Sequence, residues 1–174
     1  KEDEDLDRDV KRHIEETEKR VKEVEKRHKD EIRKVREDVK DVERRHKEKI
    51  DDVRRKLRDG RLSEEVIKDL ERDLRRSKDE VRRRVEEARR KLKESDEEIK
   101  RTVRENEEKL RELRERGLPE EILRKLRKRT EEIKREAERI HDRTREEIEK
   151  IKRDLDEIHK RTREVIKELE ERSR

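Results

Sequence analysis

Apolar residues recur along this chain at steps of three and four, the spacing of one helical face. The first stripe runs Leu6, Val10, Ile14, Thr17, Val21, Val24, His28, Ile32, Val35, Val39, Val42, His46, Ile50, Val53 and Leu57. Its members return every 18 residues, as Ile14, Ile32 and Ile50 do. The middle of the chain repeats in the same way through Ile67, Val85 and Val103, and the last part through Ile133, Ile151 and Leu169. An 18-residue repeat closes five turns at about 3.6 residues per turn, the period of the α-helix itself. A seven-residue repeat drifts and forces a left-handed supercoil; this one does neither, so the helices are expected to run straight.

Two breaks interrupt the pattern. In Asp59-Gly60-Arg61-Leu62-Ser63, the glycine suits the left-handed position after a helix end and Ser63 suits an N-cap. In Gly117-Leu118-Pro119, the glycine ends one helix and the proline fits the first turn of the next. Three helices follow, over about residues 3–59, 63–116 and 119–173. Acidic residues open them (Asp3, Glu4 and Asp5; Glu64 and Glu65; Glu120 and Glu121), and basic residues close them, as the helix dipole favours. Ser95-Asp96-Glu97-Glu98 has the form of a capping box, but the apolar stripe keeps phase across it. A continuous helix is therefore expected there, with Ser95 facing inward. Each stripe covers an arc about 80–120° wide, enough to face two partners. The expected fold is all-α, a straight antiparallel three-helix bundle of long helices, with residues 1–174 as one domain.

Composition narrows the function classes. Charged residues make up 67% of the chain, against about 25% in typical proteins. Such a composition can signal disorder, but the net charge is only +5 and the few apolar residues are in register. Basic and acidic residues alternate, so no one-sided cationic stripe points to nucleic acid. No apolar run reaches the roughly 18–20 residues that span a membrane. With no cysteine there is no disulfide and no thiolate metal site. The reading is of a soluble monomer that needs no partner and no cofactor; self-assembly stays open, and the cell compartment is unreadable.

The polar residues inside the stripes carry the candidate chemistry. His28 and His46 sit at the centre of the first stripe. Short connections make neighbouring helices antiparallel, which fixes an approximate register. His28 then lies level with Ser95, His141 and Thr144, and His46 with Ser77, His159 and Thr162. A third level gathers Thr17, Asn106 and Thr130, with His13 and Thr102 at its margin. Polar groups in a dry core are costly unless paired. A neutral imidazole has one donor and one acceptor, which hydroxyls and a second imidazole can satisfy. These levels are therefore read as buried hydrogen-bond networks.

Competing readings are weaker. Two histidines per level are too few for zinc, which takes four ligands, so no metal site is expected. Acid–base catalysis would need a cleft, a positioned carboxylate and oxyanion donors, none of which the sequence indicates, so no catalytic residue is assigned. A buried imidazole is desolvated, which lowers its pKa below about 6.5 and makes stability fall in mild acid.

The repeating stripe, the two idealised connections and the Glu/Lys/Arg surface together resemble parametrically designed helical bundles with 18-residue untwisted repeats. The polar levels are similar to those of designed bundles with buried histidine-containing networks made to respond to pH. That resemblance implies a scaffold without natural biochemical activity, made in a host cytoplasm. A natural charged rod of coiled-coil type, or a building block for a larger assembly, stands as the alternative.

Overall fold

The computed structural model describes residues 2–173 and contains helices α1 (Glu2–Arg58), α2 (Glu64–Glu115) and α3 (Glu120–Ser173). Side chains are described except at residues 2–4, 6, 7 and 173, so Asp3, Glu4 and Leu6 at the head of the first stripe lie outside the described set.

The helices end within a residue of the expected places, and the ends have identifiable causes. Gly60 and Gly117 adopt φ of 69° and 84°, left-handed values that a side chain would oppose. After α1, the Arg61 N–H donates to the Lys56 carbonyl at 2.8 Å and the Gly60 N–H to that of Leu57 at 3.1 Å. After α2, Leu118 and Gly117 repeat this double closure onto Leu113 and Arg114. Leu118 and Leu113 are both buried in one cluster, the apolar contact that usually accompanies the motif. Ser63 caps α2, its hydroxyl accepting from the Val66 N–H at 3.4 Å. Pro119 stands just before α3 rather than inside it, its carbonyl taking the N–H groups of Ile122 and Leu123.

Contacts divide the chain into two compact units, each drawing on all three helices. Unit 1 comprises Lys1–Asp30 and Arg90–Arg145; unit 2 comprises Glu31–Arg89 and Glu146–Arg174. In unit 1, Val10, Ile14 and Val21 of α1 pack with Val103 and Leu110 of α2 and with Leu126 and Ile133 of α3. In unit 2, Val53, Ile67, Leu70, Leu74, Ile166 and Leu169 form a cluster of the same kind. Each such side chain contributes about 1.5–3 kcal/mol when fully buried, and no large apolar side chain is exposed among the described residues.

Cross-helix pairs show the directions within each unit. In unit 1, Asp96 meets His141 and Glu107 meets Lys134, so α2 runs against α3. In unit 2, Asp38 meets Arg84 and Lys49 meets Asp73, so α2 runs against α1. Both units are thus antiparallel three-helix bundles. No helix of the described residues is long and apolar enough to cross a membrane.

Candidate functional site

The level containing Asn106 is the most completely paired. The Thr17 hydroxyl donates to the His13 carbonyl at 2.8 Å, and Asn106 Nδ2 donates to Thr17 Oγ1 at 3.0 Å. Asn106 Oδ1 accepts from His13 Nδ1, which returns the chain of bonds to α1. Both Thr17 and Asn106 are buried, and every polar atom in this loop has work for its donor or lone pair. Thr130 and Thr102 are buried too, but each donates to its own helix, onto Leu126 and Glu98. They fill the core without joining the network.

The two histidine levels repeat one bond. His28 Nδ1 is hydrogen-bonded to Thr144 Oγ1 at 3.0 Å, and His46 Nδ1 to Thr162 Oγ1 at 3.2 Å. Both imidazoles are 2% exposed. For His46 the direction follows from the threonine. The Thr162 hydroxyl already donates to the Ile158 carbonyl at 2.8 Å, so its oxygen must accept from His46. His46 therefore carries its proton on Nδ1, which leaves Nε2 as a bare lone pair. That Nε2 is sealed from solvent without a hydrogen-bond partner, as are His28 Nε2 and His159 Nδ1.

The second histidine of each level meets a different neighbour. In unit 1, the buried carboxylate of Asp96 accepts from His141 Nδ1. In unit 2, Lys78 is the leading charge acting on His159. Asp96 and Lys78 are one 18-residue repeat apart in α2.

Proton affinities follow these surroundings. His46 is pushed down to about 4, first by burial, then by the charges of His159 and Lys49, against a weaker pull from the Leu74 carbonyl. That carbonyl is near enough to favour the charged ring, although no bond of ordinary geometry forms to Nε2. His28 is also lowered by burial; Asp96 opposes the fall and His141 adds to it. His159 is lowered by burial and then by Lys78, Arg163 and Arg75, with Asp156 pulling the other way.

The expected levels thus come together through some residues and not others. His13, Thr17 and Asn106 are joined, as are His28 with Thr144 and His46 with Thr162. Ser95 does not face inward as expected. It is half-buried and its hydroxyl turns back onto the Lys91 carbonyl at 3.1 Å, an intrahelical bond always within reach of serine. Its neighbour Asp96 takes the inner place at 8% exposure. Ser77 is likewise half-buried and is bonded to neither His46 nor His159, with Lys78 beside it. Neither Asp96 nor Lys78 stands out in the sequence as inward-facing, because charged residues almost always lie in solvent. A signal was present: each lies four residues after a stripe leucine and three before a stripe aliphatic, Leu92 and Ile99 or Leu74 and Val81.

Unit 1 also holds a cleft of about 500 Å³ between α2 and α3, lined in part by Asp96, His141 and Ala137. The positioned carboxylate and the cleft that the sequence did not indicate are both here. Among the described residues no group of three or more side chains is placed to hold a metal ion.

No protein-family model matches this sequence, and no curated protein does. A solved structure described as "Computationally designed three helix bundle" is similar at 18% identity, over 99% of this chain and 84% of that one, with a TM-score of 0.37. A score this low carries no structural argument, and the bundle assignment rests on the packing described above.

Proposed function

We propose that this chain is a structural scaffold of the designed kind, monomeric and needing no cofactor, whose folded state weakens in mild acid. The observation that carries the reading is the set of imidazole nitrogens sealed in the core without partners: His28 Nε2, His46 Nε2 and His159 Nδ1. A neutral ring leaves one such lone pair bare at modest cost. A protonated ring puts an N–H and a charge in the same place, where burial penalises both.

The groups facing these rings decide the sign. His28 faces Asp96 and His141; His46 faces His159 and Lys49; His159 faces Lys78, Arg75, Arg163 and Asp156. Asp96, Asp156 and the Leu74 carbonyl favour protonation, and all three rings still stay below the ordinary value of 6.5. The unfolded chain then takes up protons first. Stability is fully present above about pH 6.5 and is lost as pH falls below it, down to the folded-state value. For His46 that window runs from 6.5 to about 4.

Denaturant unfolding between about pH 7 and 5 tests the reading, comparing the parent with a variant carrying His28→Asn, His46→Asn and His159→Asn. The parent is expected to lose more stability over that interval than the variant. Equal losses would assign the acid response to surface carboxylates and remove the switch. Sedimentation at both ends of the range checks the monomer.

A further inference from the structure

We propose that the cleft of unit 1 hydrolyses activated aryl esters, with His141 as nucleophile and Asp96 as its positioning residue. Asp96 holds His141 through Nδ1, which leaves Nε2 as the ring's free nitrogen. The Asp96 side chain is 10% exposed and that of His141 38%, so the anchor is buried while the ring reaches solvent. This is the arrangement in which a carboxylate fixes tautomer and orientation and a lone pair is offered at the far nitrogen.

The cleft beside it suits a flat apolar ring. Ile99 and Val103 form a buried wall, and Ala137, one turn before His141, is too short to fill the opposite side. In unit 2 the corresponding place, one repeat later in α3, is taken by Leu155, which is buried. Lys100, Arg104 and Lys134 line the cleft, and so do the carboxylates of Glu107, Glu138 and Asp142. A rim that carries both signs favours no charge on the ring, so an uncharged aryl ester suits the slot.

The chemistry balances without a cofactor. The Nε2 lone pair attacks the ester carbonyl carbon and forms an N–acyl bond. The tetrahedral adduct collapses, the C–O bond to the aryl group breaks, and the aryloxide leaves with the bonding pair and takes a proton from water. The acylated ring keeps its Nδ1 proton on the Asp96 carboxylate. Water then adds to the acyl carbon and the N–acyl bond breaks. The carboxylic acid departs, its surplus proton passes to solvent, and neutral imidazole is restored. One ester and one water become one acid and one phenol. Nothing in this sequence needs the acid response proposed above, and the two ideas fail independently.

The test uses the full chain with uncharged nitrophenyl acetate. Saturable hydrolysis is expected, with the acetyl group found on His141 by mass spectrometry. His141→Asn should return the rate to background, whereas His159→Asn should leave it unchanged. Asp96→Asn should lower kcat on the order of tenfold at unchanged KM, a split that loss of a merely structural contact would not give. Ala137→Leu copies the filled place in unit 2, keeps the helix, and should abolish saturation. Retention of the full rate by His141→Asn, or acetylation at another histidine, overturns the proposal. So does an unaltered KM in folded Ala137→Leu.

Discussion

His28 and His46 occupy the same place in successive repeats of α1, and each is bonded through Nδ1 to a threonine 116 residues further along. The geometry is reused; the charge around it is not. In unit 1 the second imidazole of the level is held by a buried carboxylate, Asp96. In unit 2 the same position of α2 holds Lys78, whose ammonium sits beside His159 and forms an ion pair with Asp156 at 3.6 Å. The comparison separates two jobs within one fold. The 18-residue period decides which positions face inward, and a single side chain per repeat decides whether its charge opposes the effect of burial, as Asp96 does at His28, or adds to it, as Lys78 does at His159.

Reversing the charge of unit 1 is the largest way to break this comparison. Asp96→Lys removes the acceptor from His141 and sets an ammonium near two imidazoles. An uncompensated charge in a buried place costs about 3–5 kcal/mol, and the new ammonium would stand without an acceptor where Asp96 is 8% exposed. Urea unfolding at neutral pH should show a loss of that order. A loss under about 1 kcal/mol would place the pair among weak surface contacts.

Next in size is the acid response of His46. A fall from 6.5 to about 4 corresponds to roughly 3 kcal/mol at about 1.4 kcal/mol per pH unit. This stability is present above 6.5 and disappears as the pH drops to about 4. Since Asp96 offsets part of the burial effect at His28 and no carboxylate does so at His46, the two rings should separate in proton NMR. His46 is expected to titrate last as pH is lowered, and His46→Asn to flatten the stability–pH curve more than His28→Asn. Coincident titrations would mean that Asp96 does not reach His28.

These differences mark how far the sequence alone could be read. The helices and their ends were legible because a 3.6 period, two glycines and Ser63 all act locally. The histidine–threonine pairs were legible because short turns fix register to about one turn. The role of α2 was not. Ser95 and Asp96 are both in phase with Leu92 and Ile99, so periodicity admits either one to the core. The outcome turned on serine having a carbonyl of its own helix to bond, and on a carboxylate gaining enough from His141 to leave water. Energies of that kind depend on the facing helix and are not written in the spacing. The cleft was hidden for a related reason: Ala137 is in phase with the stripe and reads as core, while the space its small side chain leaves depends on what stands opposite.

The hydrogen bond that both levels share gives a smaller and more symmetric effect. Thr144→Val and Thr162→Val each leave an imidazole nitrogen without its hydroxyl partner, at a cost of about 1–3 kcal/mol. Because the bonds are alike at 3.0 and 3.2 Å, the two losses should agree within about 1 kcal/mol at neutral pH. Thermal or urea unfolding of both variants checks this. Clearly unequal losses would show that the levels differ in packing as well as in charge.

The smallest effect isolates the lysine. Lys78 is largely covered, with its side chain 17% exposed, and it is the first charge to lower His159 after burial itself. Lys78→Gln keeps the length and removes that charge. Asp156 stays in place, with Arg82 at 3.8 Å, and continues to favour a charged His159. Removing the opposing cation therefore lets the His159 titration midpoint rise toward 6.5 without reaching it, since burial, Arg163 and Arg75 still act. The ion pair lost is to an exposed carboxylate, so neutral-pH stability should change by less than about 1 kcal/mol. In acid the variant should lose less than the parent, because the folded ring now accepts its proton nearer the pH at which the unfolded chain does. Ring-proton NMR of His159 across the titration is the direct measurement. A midpoint that does not move would show that desolvation alone governs His159, and that the choice of Lys78 over a carboxylate in this repeat has no electrostatic consequence for the ring.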